Sequence, residues 1–188
     1  MDKNFNVIIT GFGGQGLITL VDILAAAAFF DGYDVKSSEL HGLSQRGGAV
    51  STFITFGKKV YSPLFCKGSA DLILGMELLE GLRGCEFANS KTKILANDYF
   101  FPFLGITPKE EVIKKLKEIG GNNLQIINAS GICKEKLDKE LLSGVYLLGF
   151  ACYKNLVPIK SEAFLKAIES VMPKKYREIN IKAFQLAQ

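Results

Sequence analysis

Apolar and polar stretches alternate along the N-terminal part of the chain in the order strand, helix, strand. Residues 6–10 form an apolar run that is typical of a buried strand, and the apolar stretch 17–28 is long enough for a buried helix. After a turn at residues 31–33, residues 34–38 predict a short second strand. This spacing predicts that the first two strands are parallel neighbours, as in a βαβ unit.

The following segments predict a hairpin and then further strands of the same sheet. Residues 49–56 and 60–62 are rich in β-branched and aromatic side chains and flank a turn at 57–59. They predict a β-hairpin inserted into the βα succession. Buried strands are also predicted over 70–76, 92–97 and 124–128.

The second half of the chain carries helix start and stop signals. Thr107 can cap a helix, with Pro108 at the first helical position. Residues 144–188 read as three helices, interrupted at Pro158 and Pro173. The predicted fold class is therefore α/β: a Rossmann-like, mostly parallel sheet flanked by helices, with a β-hairpin insertion and a helical C-terminal third.

The composition fits a single globular domain over residues 1–188. At 48% hydrophobic residues, a chain of this length buries one substantial core rather than two. Its 23 Lys and Arg against 19 Asp and Glu leave a net charge of +4, too mild for a dedicated nucleic-acid surface. The longest apolar run, residues 23–30, is too short to cross a membrane, and residues 1–4 lack a signal-peptide layout. We therefore expect a cytoplasmic protein.

The cysteines and the single histidine argue against the usual metal centres. Cys66, Cys85, Cys133 and Cys152 are widely separated and form no C-x-x-C pair, the spacing typical of zinc and iron–sulfur sites. We expect them to be reduced core residues. With His41 as its only histidine, the chain cannot build a multi-histidine site. No metal site is predicted in this chain.

The first strand is followed by a glycine-rich turn at residues 11–16. Its glycines match the G-x-G-x-x-G spacing of dinucleotide-binding turns, in which N–H groups at a helix N-terminus bind phosphate. Tight packing of the helix on the strand would use the same glycines, so the turn alone does not establish a ligand. The candidate cofactor-binding residues of this turn are Gly11, Gly13, Gly14, Gln15 and Gly16.

A second polar loop, residues 38–48, follows the second predicted strand. Loops after neighbouring parallel strands meet at one sheet edge, so we expect this loop beside the glycine turn. The Arg46 guanidinium beside glycine N–H groups suits phosphate, pyrophosphate or carboxylate.

His41 is either an acid–base group or a structural residue. Glu39 falls just past the predicted strand, which weakens a simple NAD site. Glu77 lies at the same sheet edge, but a helix start explains it better. The candidate binding residues of the loop are Glu39, Gln45, Arg46, Gly47 and Gly48.

Four segments together resemble one known family: the glycine turn, the 38–48 loop, Val60-Tyr61-Ser62-Pro63 and Ala70-Asp71-Leu72-Ile73-Leu74. The chain looks like the gamma domain of 2-oxoacid:ferredoxin oxidoreductases over nearly its whole length. The Glu-x-His-Gly-x-x-Gln-Arg-Gly-Gly loop is the specific part. In its residues it is similar to the indolepyruvate branch of that family.

This resemblance implies an accessory subunit of a complex that oxidatively decarboxylates a 2-oxoacid to an acyl-CoA and passes electrons to ferredoxin. It implies that thiamine diphosphate, magnesium and iron–sulfur clusters sit in a larger catalytic subunit, and that this chain binds no cofactor and is inactive alone. The two loops would face the partner's active site and a coenzyme A shared at the interface, with Arg46 as a phosphate contact. The particular 2-oxoacid and the formation of a homodimer stay open.

Two other functions remain open on the residues alone. One is a stand-alone Rossmann-type module that binds NAD(P) or another nucleotide, which tight NAD(P) binding by the isolated chain would favour. The other is a scaffold whose glycine turn binds nothing. In that case a substitution at Gly13 or Arg46 would alter stability or assembly and leave ligand affinity unchanged.

Overall fold

The computed structural model describes residues 3–41, 48–101 and 107–188. The strands are β1 Phe5–Phe12, β2 Asp34–His41, β3 Ala49–Gly57, β4 Leu72–Gly75, β5 Lys93–Asn97 and β6 Leu124–Ile127. The helices are α1 Leu17–Phe30, α2 Leu78–Gly84, α3 Lys109–Gly120, α4 Ala129–Leu137, α5 Ser143–Tyr153, α6 Ser161–Val171 and α7 Lys174–Gln185. Short 3₁₀ turns lie at Cys85–Phe87, Gly121–Asn123 and Glu140–Leu142.

The described strands form one six-stranded sheet in the order β2-β3-β1-β4-β5-β6. β1, β4, β5 and β6 pair in parallel, whereas β3 is antiparallel to both of its neighbours. The sheet is therefore mostly parallel and flanked by helices, which confirms the predicted α/β class.

The position of β3 corrects two details of the sequence analysis. β3 lies between β1 and β2, so the prediction that β1 and β2 pair as parallel neighbours is wrong. The predicted strand at 60–62 is also absent, because both edges of β3 are already taken by β1 and β2. Instead, the Val60 N–H donates to the Asp34 carboxylate at 2.8 Å. β2 and β3 form the antiparallel hairpin of the fold.

Helices cover both faces of the sheet, which explains why its strands read as continuous apolar runs. Val7 and Ile9 of β1 pack in the cluster that also holds α1, α4, α5, α6 and α7. Ile8 points the other way, into the smaller cluster with α2 and α3. α1 is apolar on most sides because it packs against the sheet as well as α5 and α6.

The helical elements agree with prediction except in two places. As predicted, Pro158 lies between α5 and α6, and Pro173 lies between α6 and α7. α3, however, begins at Lys109 with Pro108 in the N-cap position and no side-chain cap, so the predicted Thr107 cap is wrong. Pro108 has an extended ψ of 145°, which places it outside the helix. No helix was predicted at α4, which follows β6 directly and has Asn128 as its N-cap.

Candidate functional site

The glycine turn connects β1 to α1 at the edge where the parallel strands end. Gly11 is packed so closely that a Cβ there would lie 2.9 Å from the Met76 Cβ and 2.6 Å from the Gln15 side-chain oxygen. Gly14 and Gly16 have φ values of 104° and 76°, in the left-handed region that favours glycine. The turn therefore requires glycine for its shape, whether or not a ligand binds.

Gln15 holds the glycine turn together through its side chain. Its Oε1 accepts a hydrogen bond from the Phe12 N–H at 2.7 Å, and its Nε2 donates to the Met76 carbonyl at 3.4 Å. Met76 directly follows β4, so Gln15 ties the turn to the neighbouring strand. These contacts make Gln15 a residue that shapes the site.

The N-terminus of α1 is open to a ligand. Gly16 occupies the N-cap and provides no side-chain hydrogen bond. The N–H groups of Leu17, Ile18 and Thr19 have no hydrogen-bond partner within the described residues, and the first N–H that is satisfied is that of Leu20, which donates to the Gly16 carbonyl. Free N–H groups and the positive end of the helix dipole favour an anion at this position.

The structure brings the end of the second loop to the glycine turn. The Gly13 N–H donates to the Gly48 carbonyl at 2.9 Å, and Phe12 lies opposite Ala49 in the sheet. The expected proximity of the two loops is thus confirmed, although β3 produces it rather than parallel neighbouring strands. Gln45, Arg46 and Gly47 lie outside the described residues, and the backbone of His41 ends β2.

Glu39 lies within β2, opposite Thr52, so its predicted place just past the strand is wrong. The strand extends further because β3 pairs with β2 through to His41. Glu39 is exposed and lines a cavity of about 460 Å³ with Gly13, Gly14 and the first turn of α1. The cavity thus offers N–H donors on one side and a carboxylate acceptor on the other.

A neighbouring cavity of about 370 Å³ lies beyond Gly14 and Gln15 and is lined by polar residues that the sequence analysis missed. Asn97, at the end of β5, donates to the Ser130 hydroxyl at 2.8 Å and accepts from the Ser130 N–H at 3.2 Å. These contacts join β5 to the start of α4. The signal in the sequence was a pair of asparagines: Asn97 ends β5, and Asn128 directly follows β6. The lining residues outside the glycine turn include Tyr99, Ser130, Glu140 and Ser143.

Glu77 is the N-cap of α2, which agrees with the predicted helix start. Its carboxylate accepts hydrogen bonds from the N–H groups of Glu80 at 2.8 Å and Phe101 at 3.1 Å, and its side chain is fully buried. Burial raises the pKa of the Glu77 carboxyl above its ordinary value, while these backbone hydrogen bonds oppose the rise. Glu77 therefore joins α2 to the segment after β5.

The cysteines of this chain do not fit an iron–sulfur cluster. Cys85, Cys133 and Cys152 are buried, and burial raises the pKa of each thiol to about 11, so they are not thiolates. Cys66 is exposed, which corrects its predicted place in the core. Over residues 3–41, 48–101 and 107–188, no three His, Cys, Asp or Glu side chains gather as metal ligands.

Comparison with known protein families identifies the class to which this fold and site belong. The family model for pyruvate ferredoxin/flavodoxin oxidoreductase matches residues 6–188. The chain therefore belongs to the pyruvate ferredoxin/flavodoxin oxidoreductase family, and it is an accessory subunit of an oxidoreductase complex. A stand-alone nucleotide-binding module does not agree with this match.

Curated relatives refine the family assignment. The chain is 30% identical to the indolepyruvate oxidoreductase subunit IorB of Thermococcus kodakarensis, over 98% of this chain and 94% of the relative. It is 32% identical to IorB of Archaeoglobus fulgidus, over 96% and 92%. The pyruvate/ketoisovalerate oxidoreductases common subunit gamma of Thermococcus kodakarensis is 29% identical, over 94% and 91%. All three are small subunits, and the chain covers nearly the whole of each.

Solved structures share the fold. The pyruvate oxidoreductase subunit PORC of Thermotoga maritima superposes with a TM-score of 0.73 at 21% identity, covering 98% of this chain and 95% of that one. The 2-oxoglutarate:ferredoxin oxidoreductase of Magnetococcus marinus superposes with a TM-score of 0.72 at 17% identity, and the match covers 98% of this chain but 30% of that longer chain. No helix in the described part of this chain is long and apolar enough to cross a membrane.

Proposed function

We propose that the complex to which this chain belongs oxidatively decarboxylates an aryl 2-oxoacid of the indolepyruvate type to its acyl-CoA and passes the electrons to ferredoxin. The observation that carries the coenzyme A part of the proposal is the open N-terminus of α1, which lies against the Glu39 cavity. The indolepyruvate oxidoreductase relatives, at 30% and 32% identity, support the aryl branch over the pyruvate branch.

The glycine turn is suited to a phosphate-bearing group of coenzyme A. Free N–H groups of the α1 N-terminus and the Gly14 backbone would bind phosphate, and Arg46 would add a charge-assisted contact. Glu39 would accept a hydrogen bond from a ligand hydroxyl. The structure neighbour from Magnetococcus marinus was solved with coenzyme A bound, which supports this choice of ligand.

In this proposal the catalytic cofactors belong to the larger partner subunit. Thiamine diphosphate, with its magnesium, supplies the stabilisation of the carbanion when bound there, and iron–sulfur clusters carry the electrons. This chain contributes the anion site, orientation of the ligand and exclusion of water. Its three buried thiols do not suit a cluster, and within the described residues its acidic groups do not gather as magnesium ligands.

Affinity purification of the tagged chain from native extract tests the subunit role. We expect the chain alone to be colourless and inactive, and the co-purified complex to reduce ferredoxin with indolepyruvate only when coenzyme A is present. Tight NAD(P) binding by the isolated chain, or a complex that prefers pyruvate or 2-oxoglutarate, would contradict the proposal.

A charge placed at the α1 N-terminus tests the anion site within that complex. Ile18 is 59% exposed and lies in the first turn of α1, so Ile18→Asp adds a carboxylate where the phosphate would bind. The near-isosteric Ile18→Asn is the matched control. We expect the Asp variant to raise the KM for coenzyme A about five- to tenfold over the Asn variant. Equal KM values would place the coenzyme elsewhere.

A further inference from the structure

An apolar groove adjoins the Glu39 cavity and shares Gly16 and Thr19 with it. It has a volume of about 510 Å³ and runs between α1, the Glu140–Leu142 turn, α5 and α7. Leu20, Val145 and Ile179 are among the side chains that line it. We call it the Leu141 groove, because Leu141 lines it and is one of the most exposed apolar side chains of the chain.

Large apolar side chains at the rim of the groove are exposed to water, which is energetically unfavourable. Leu141 is 69% exposed and Tyr176, which also lines the groove, is 44% exposed. Isolated exposed apolar residues are ordinary, but two at the rim of one concave apolar groove are typical of a protein-binding surface. The groove also shares Gln15 and Gly16 with the glycine turn, so a protein bound in it would reach the proposed coenzyme site.

Cations that make no ion pair in the described part of the chain lie on the groove or next to one of its lining residues. Lys139 lines it, and Lys174 and Lys175 form the start of α7 beside Tyr176. None of these lysines makes an ion pair within the described residues, although Lys182 of the same helix pairs with Glu178. Glu140 is the acidic residue among the lining residues. The rim therefore carries a net positive charge that the fold itself does not neutralise.

The place of Lys174 and Lys175 in α7 points to an external partner. The first turn of a helix favours acidic side chains, yet the first turn of α7 contains none and begins with two lysines. These cations are unfavourable for the isolated helix. They become favourable when acidic groups of another chain lie against them.

We propose that the Leu141 groove binds an apolar segment of the larger catalytic subunit that is flanked by Asp or Glu. The proposal rests on the proposed function, because it takes the partner from that complex. The apolar side chains would fill the groove, and the acidic flanks would lie against Lys139, Lys174 and Lys175. A second copy of this chain is a poor occupant, because its net charge is +4 and its own groove rim is positive.

Charge reversal tests the cationic rim. In the co-expressed complex, the double variant Lys174→Glu, Lys175→Glu should weaken association of the two subunits about tenfold or more at low salt and reduce its salt dependence. The matched control is Lys58→Glu, Lys59→Glu: this pair is also exposed, and Lys59 lies 5.0 Å from the Tyr61 ring as Lys175 lies 4.7 Å from that of Tyr176. The control should change the association constant less than twofold.

The substitution Leu141→Asp tests the apolar contact of the Leu141 groove in the same complex. Leu64→Asp is the control, because the Leu64 side chain is also exposed, at 54%. We expect the Leu141 variant to dissociate about tenfold more readily than the control, with unchanged thermal unfolding of the isolated chain.

If the wild-type chain does not assemble with a larger subunit at all, the proposed function fails. If it assembles and these variants bind like wild type, the groove proposal alone fails.

A photo-crosslinking residue at position 176 identifies the occupant directly. In the native complex we expect a crosslink to a peptide of the larger subunit that holds an apolar stretch beside Asp or Glu. A crosslink to a second copy of this chain, or to a partner peptide without acidic residues, would overturn the proposal.

Discussion

The side-chain oxygen of Gln15 accepts a hydrogen bond from the backbone N–H of Phe12 at 2.7 Å. A residue of the glycine turn thereby fixes the end of β1, and through the Met76 carbonyl it also contacts the end of β4. The candidate anion site thus depends on a side chain that the sequence predicts to bind the ligand.

Replacing this side chain tests the structural role of Gln15. Gln15→Ala removes the acceptor from a half-buried N–H, and we expect it to lower the free energy of unfolding by about 1 to 2 kcal/mol. Gln15→Glu keeps an acceptor for Phe12 and should retain more of the stability. Urea denaturation of both variants provides the measurement, and equal losses would show that the Phe12 contact is not the stabilising one.

Gly75 and Gly81 form the close contact between β4 and α2. A Cβ on Gly75 would lie 2.7 Å from the Gly81 Cα, whereas a Cβ on Gly81 would lie 3.4 Å from the Gly75 Cα. We expect Gly75→Ala to destabilise the chain by about 1 to 3 kcal/mol through overpacking. Gly81→Ala should be neutral or stabilise by up to about 1 kcal/mol, because alanine favours the helix interior. Thermal or urea unfolding of the two variants measures this difference in stability. Equal losses for Gly75→Ala and Gly81→Ala would contradict the expectation.

The sequence was informative wherever local pattern alone decides the structure. The apolar runs located β1, β4, β5 and β6, and the prolines at 158 and 173 separated the last helices. The place of β3 was not predictable in this way, because its strand pattern is equally compatible with a local hairpin and with insertion beside β1.

The candidate site, too, could be predicted only where the local sequence pattern decides the structure. The spacing of the glycines predicted the turn, and the free N-terminus of α1 follows from the lack of a capping side chain. Ser130, Ser143 and Tyr99 come from three separate segments, and only the tertiary packing brings them to one cavity. Glu39 was misplaced because the extent of β2 depends on its pairing with β3.

Glu77 should give the stability of the chain a recognisable pH dependence. Burial raises the pKa of its carboxyl in the folded state above the ordinary value of 4.5. Its contribution to stability is therefore fully present below that ordinary value and is lost as the pH rises through the higher folded-state pKa. We expect the free energy of unfolding of Glu77→Gln, relative to wild type, to improve as the pH increases from about 4 to about 7.

Glu111 provides a control of opposite sign for the pH experiment. Its exposed carboxylate accepts a hydrogen bond from Lys115, which holds the pKa of that carboxyl below its ordinary value. The stability of Glu111→Gln relative to wild type should therefore decline slightly as the pH rises to the ordinary value of 4.5 and stay level above it. Urea titrations at several pH values would measure both trends, and parallel trends for the two variants would contradict the assignment of Glu77.

The thiols should differ sharply in their reactivity. Cys66 is exposed, whereas Cys85, Cys133 and Cys152 are buried and burial raises the pKa of each thiol to about 11. Because alkylation requires an accessible thiolate, iodoacetamide at mildly alkaline pH should modify Cys66 in the folded chain and the other three only after unfolding. Mass spectrometry with and without denaturant would count the labelled sites, and Cys66→Ser should leave the native chain unlabelled. Rapid labelling of Cys133 or Cys152 without denaturant would show that the helical layer of α4 and α5 opens more readily than its packing indicates.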